Sequence, residues 1–92
     1  MSFYLKDPEA RVDYAIDWAD YLDGQTIAAS TWSVEPVEQG GIAVDEASFA
    51  LLRTAARLSG GVIGHGYSIS NLVTLSDGSA DSRSINLRVE ER

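Results

Sequence analysis

The chain reads as an all-β sandwich. Two observations predict it: short runs of hydrophobic alternation with period two, and turn-forming residues between those runs. The clearest pair is "YSISNLVTL" at 67–75 and "SRSINLRV" at 82–89. Tyr67, Ile69, Val73 and Leu75 share one parity with Asn71 between them, and Ile85, Leu87 and Val89 share one face while Ser84, Asn86 and Arg88 share the other. The "SDGS" between the runs, with Gly78 supplying a positive φ, makes them a β-hairpin.

Earlier elements follow the same period less cleanly. In "RVDYAIDWADYLDG", Val12, Tyr14, Ile16 and Trp18 alternate with Asp13, Ala15, Asp17 and Ala19, the pattern of a half-buried strand. Around Trp18 the alternation breaks, and one helical turn over 17–22 with Asp17 as N-cap is expected. Asp23-Gly24 then turns the chain. "TIAASTWSV" is a second strand, and the slip in apolar parity between Ile27 and Trp32 predicts a bulge or a twist. Pro36 and Gly40-Gly41 close it, and "GIAV" at 41–44 is a short third strand. In "DEASFALLRTAARLSGG" two rules conflict. Propensity, with Asp45 as N-cap and Gly60-Gly61 as C-cap, predicts a helix over 46–58 and an α+β fold. Thr54, Ala56 and Leu58 alternate as a short strand requires.

Ninety-two residues without an internal repeat or linker make one domain over 1–92. A chain of this size buries only about 60–65% of its unfolded surface, so packing into an assembly would help it. No cysteine is present, which excludes disulfides, thiolate metal sites and a cysteine nucleophile. The apolar runs are too short for a transmembrane helix, and "MSFYLKDPEA" lacks the pattern of a signal peptide. A cytosolic origin, a soluble chain and no membrane partner are the expectation. Net charge is −7, with ten acids and two bases in 1–46 against four acids and five bases in 47–92. Binding to phosphates runs on Lys and Arg, so nucleic acid is not an expected direct partner. The acidic half serves solubility, or meets a basic patch on another protein through Asp13, Asp17, Asp20 and Asp23.

The strongest local signal for chemistry is "LSGGVIGHGYSIS" at 58–70, where Gly60, Gly61, Gly64 and Gly66 crowd the only histidine. Gly61 to Gly66 has G-x-x-x-x-G spacing. A phosphate-binding loop needs a lysine next, and Tyr67 stands there; it needs a helix, and a strand follows. The segment therefore reads as an arch between two sheets, with His65 at its exposed crest. His65 has no sequence-local carboxylate to orient it as a general base. None of the serines sits in a G-x-S-x-G elbow, so no hydrolase triad is expected. Asp77, Ser79 and Asp81 have alternate-position oxygen ligands but lack the glutamate of a calcium loop. Asp13, Asp17, Asp20 and Asp23 could gather on Ca²⁺ if the chain folded back, but a solvated strand edge suits them better. No cofactor, metal site or catalytic residue is expected. Trp18 and Trp32 are core residues in a sandwich this small, or interface anchors if exposed.

Taken in order, Lys6-Asp7-Pro8, Asp13-Tyr14, Asp17-Trp18, Leu22 and Ile27, then Leu58 to Gly61, Gly64, Tyr67, Asn71, Thr74, Asp77-Gly78, Asp81, Arg83-Ser84 and Val89, resemble small phage and prophage virion proteins. These are the Ig-like proteins labelled fiber–tail adaptor or head–tail region proteins. The likeness spans most of the chain and is weak over 35–53. It implies an Ig-like antiparallel β-sandwich of about six or seven short strands, a structural role in a virion and no catalysis. Other virion proteins become the expected partners, with a homo-oligomer or ring in the assembly and the host cytoplasm as the place of assembly. It also implies a strand over 53–58, with 45–50 as loop or turn, although "RTAARL" departs from the β-branched strand of such proteins. Tyr67 then gains a role, its hydroxyl returning to the backbone upstream beneath the arch. Two other readings remain: a surface- or carbohydrate-binding sandwich using Trp32, Tyr21 or Tyr4 as a platform, and an acidic phage-encoded inhibitor that mimics nucleic acid.

Overall fold

Alternation becomes layering in the structure, a computed structural model that describes residues 3–7 and 9–90. Seven strands are formed by the described residues: β1 (Phe3–Lys6), β2 (Val12–Asp17), β3 (Ile27–Glu35), β4 (Ala43–Phe49), β5 (Arg53–Ser59), β6 (Gly66–Leu75) and β7 (Ala80–Val89). A four-stranded sheet has the order β1-β7-β6-β3, and a three-stranded sheet the order β2-β5-β4. The β1–β7 pair is parallel and the other pairs are antiparallel. Lettered A to G along the chain, the sheets are A-G-F-C and B-E-D, an immunoglobulin-type sandwich whose first strand lies beside the last.

The strand faces follow from side-chain parity. Along β6, Tyr67, Ile69, Asn71, Val73 and Leu75 are all buried, while the residues between them face outward. Opposite them, Thr54, Ala56 and Leu58 of β5 are buried. The core has two connected halves. One gathers Ile42, Ala56, Leu58, Tyr67, Ile69, Leu87 and Val89, and the other Ile16, Trp18, Leu22, Ile27, Val73 and Leu75. Tyr14 and Trp32 pack against both halves and join them.

Several local expectations hold and others change. The β6–β7 hairpin turns at Gly78 with φ +89°, and Asp77 Oδ1 accepts from the Ser79 amide at 2.9 Å. Asp23 and Gly24 have φ +46° and +84° at the other turn. The expected bulge lies between Ile27 and Ala29. A single 3-10 turn, Ala19–Tyr21, follows β2, but Trp18 and not Asp17 occupies its cap position. Asp17 still supports that turn, accepting from the Ala19 amide at 3.0 Å. The predicted helix over 46–58 is absent, and so is the loop expected over 45–50. Residues 43–49 are strand β4, which pairs with β5 from Ala43↔Ser59 to Phe49↔Thr54 around a register shift between Val44 and Glu46. The physical reason is that β5 would otherwise leave a ladder edge unpaired, and cross-strand pairing outweighs helix propensity. The short strand expected over 41–44 therefore starts later and runs longer. Strand β1 was not expected, because four residues carry too little alternation to register.

Candidate assembly surfaces

The two ends of the sandwich are built differently. At one end lie the arch 60–65, the loop 36–42 and the end of β1. Gly60 and Gly61 have φ +78° and +113°, conformations that other residues rarely adopt. A Cβ on Gly61 would stand 2.4 Å from Val89 Cγ2, and one on Gly60 2.6 Å from the Gly41 carbonyl oxygen. Gly64, at φ +83°, faces open space. The glycine pair thus lets the arch cross from β5 in one sheet to β6 in the other while pressed onto the loop 36–42.

Tyr67 anchors that crossing. Its ring is buried, and its hydroxyl accepts from the Val62 amide at 3.0 Å and donates to Glu38 Oε1. His65 Nδ1 lies 2.9 Å from the same carboxylate oxygen. The hydrogen bonds from Tyr67 and then His65 hold the Glu38 carboxyl below its ordinary range. Burial, followed by the carboxylate it faces, pushes the Tyr67 hydroxyl up. The orienting carboxylate that local sequence lacked for His65 therefore arrives from a loop 27 residues away. Lys6 completes this end. It is 1% exposed, and its ammonium donates to the Gly60 and Asp7 carbonyls at 2.7 and 2.8 Å. Burial lowers its pKa, partly opposed by Asp7 and Asp45. Nothing in the sequence neighbours of Lys6 signals a buried strut. Pro8 of the Lys6-Asp7-Pro8 motif lies outside the described residues.

Midway between the ends, the sheets are pinned by a buried polar network. Trp18 Nε1 donates to Thr54 Oγ1 and Asn71 Oδ1, both at 3.1 Å, and Thr54 Oγ1 donates to Asn71 Oδ1 at 2.7 Å. Asn71 Nδ2 donates to Ser30 Oγ at 2.9 Å and the Thr31 carbonyl at 3.1 Å. Both tryptophans sit in the core. Trp32 is half-buried, and its indole N–H has no partner among the described residues.

The opposite end collects the 18–26 connection, the β4–β5 tip and the β6–β7 turn. Leu52 and Leu51 carbonyls accept from the Trp18 and Ile27 amides at 2.9 and 2.8 Å, and the Thr26 carbonyl accepts from the Ser76 amide at 2.8 Å. Three large apolar side chains of the tip face solvent: Phe49 at 47%, Leu51 at 65% and Leu52 at 46% exposed. Of the four aspartates considered together, the structure brings Asp17, Asp20 and Asp23 to this end, all exposed. Asp13 stays on the outer face of the three-stranded sheet, where Arg57 Nε donates to it at 2.8 Å and holds its carboxyl below the ordinary range. The tip is not legible in the sequence, where "SFALL" fits a helix or a loop. Its signal was a run of apolar residues where β-turn chemistry should be polar.

A sandwich fastened by buried polar struts at one end, where Val37 and Ile63 stand exposed singly, and carrying a continuous exposed apolar run at the other is suited to holding other proteins. The family model described as podophage GP4 fiber-tail adaptor protein gp77 matches residues 6–88. The chain belongs to this Gp77 family. It is a phage structural protein of the adaptor type, found in the virion, whose partners are other virion proteins. No curated protein matches the chain. Membership extends across 35–53, where the resemblance had been weakest, and includes both the arch and the tip. Of the aromatics named for a carbohydrate platform, Trp32 packs against both halves of the core, and Tyr21, 54% exposed, lies under Arg83, 4.8 Å from ring centroid to guanidinium. The side chain of Tyr4 lies outside the described residues.

Proposed function

We propose that this Gp77-family chain is a passive connector that joins a fibre to the tail through protein–protein contacts and performs no catalysis. Membership across residues 6–88 carries the reading. The side-chain chemistry agrees with it. His65, Glu38 and Tyr67 are engaged with one another in holding a loop to the arch, and the acidic N-terminal half disfavours direct contact with nucleic acid. The chain assembles in the host cytoplasm, in several copies around the tail, as one Ig-like domain. Its glycines and Tyr67 serve the fold, and its contacts are made at the ends and faces of the sandwich.

The test mixes the purified chain with the purified fibre protein and tail protein of the same phage and reads masses by size-exclusion chromatography with light scattering. A complex with each, and one containing all three, is expected. Binding to neither protein contradicts the reading.

A further inference from the structure

Among the described residues the other large exposed apolar side chains, Tyr21, Val37, Ile63 and Leu72, stand apart from one another in the sequence, and the β4–β5 tip departs from that pattern. Phe49, Ala50, Leu51 and Leu52 are four consecutive exposed apolar residues. Such a run in a turn works against solubility unless something covers it. The tip is also held in place. The Ala50 amide donates to the Arg53 carbonyl at 2.8 Å, and the Leu51 and Leu52 carbonyls accept from Ile27 and Trp18. A segment ordered before contact loses little conformational entropy on docking, which favours its use as an anchor.

We infer that this tip is a plug that enters an apolar pocket edged by lysine or arginine on a different virion protein. The charge around it selects that occupant. Asp17, Asp20, Asp23 and Asp77 are exposed at this end, against Arg53 and an Arg83 already placed over Tyr21. A basic rim complements these acids, whereas a second copy of this chain would bring the same acids and be repelled. The inference rests on the adaptor reading and adds to it the contact surface and the chemistry of its partner.

The experiment uses virions of the encoding phage in which the chain carries Leu51→p-benzoylphenylalanine. Irradiation followed by mass spectrometry is expected to join position 51 to one other virion protein, at a peptide with apolar residues beside Lys or Arg. Leu51→Ser with Leu52→Ser is expected to lower incorporation of the chain into particles about tenfold or more. Asp20→Lys with Asp23→Lys, which leaves the apolar tip intact, is expected to lower it several-fold, and unfolding midpoints of the purified variants should stay near wild type. A cross-link to a second copy, a cross-link to an acidic peptide, no cross-link, or wild-type incorporation of both variants overturns the inference. If the wild-type chain is present in particles and the variants enter equally well, only the plug fails. If the wild-type chain is absent from particles, the adaptor reading itself fails.

Discussion

Asn71 carries more of the fold than any other polar side chain described, since both of its amide atoms are used and it links the two sheets. Replacing it leaves a buried threonine hydroxyl and a backbone carbonyl short of partners. Asn71→Ala is expected to lower unfolding free energy by about 3 kcal/mol in urea denaturation, and a loss under about 1 kcal/mol would contradict the network's role. Tyr67→Phe removes one hydroxyl with two bonds and is expected to cost about 1 kcal/mol; an unchanged midpoint would count against the anchor. Glu38 adds a pH signature. Its folded pKa lies below the ordinary 4.5, so the unfolded chain binds more protons as pH falls past that value. The stability it supplies is complete above pH 4.5 and is lost as pH falls through the folded value. Glu38→Gln should therefore differ from wild type at neutral pH and converge with it in acid, as read by denaturation at several pH values. Tyr67 was legible because it follows a glycine cluster and opens an alternating run. Glu38 was not, because its partners lie 27 and 29 residues away, beyond strands β4 and β5.

At the scale of elements, the arch separates two kinds of glycine. Gly61→Ala meets both an unfavourable φ and a Val89 methyl at 2.4 Å, while Gly64→Ala meets only the φ. Gly61→Ala is expected to destabilise by roughly 3 kcal/mol and Gly64→Ala by about 1 kcal/mol, measured as shifts in denaturation midpoint. Equal losses would show that the arch does not press on β7. The hairpin β6–β7 was readable because each strand is long enough to alternate several times around an Asp-Gly turn. β4 was not: six of its seven residues are exposed, so no buried face imprinted a period on its sequence, and the Ala, Leu and Arg in and after it suggested a helix. Its strand state comes from β5, which supplies the ladder partner. β1 was hidden for a related reason, since its pairing with β7 is parallel and lies at the far end of the chain.

At the scale of the molecule, a body measuring 41 × 23 × 18 Å presents two dissimilar ends along an elongated sandwich. One end is fastened by Lys6, Tyr67, Glu38 and the glycine pair, with Val37 and Ile63 exposed singly, and the other offers a continuous apolar run among aspartates. All-β class and the inter-sheet arch could be read in the sequence because they follow from alternation and glycine placement. The tip could not, because exposure of an apolar run depends on which strands pair around it. Two ends with different chemistry suit a connector between unlike proteins, and that is the central claim. The most direct test counts fibres on particles made by the encoding phage without this chain, before and after the purified chain is added back. The account predicts tailed particles that lack fibres and regain them on addition; particles that keep a full set of fibres without the chain would contradict it.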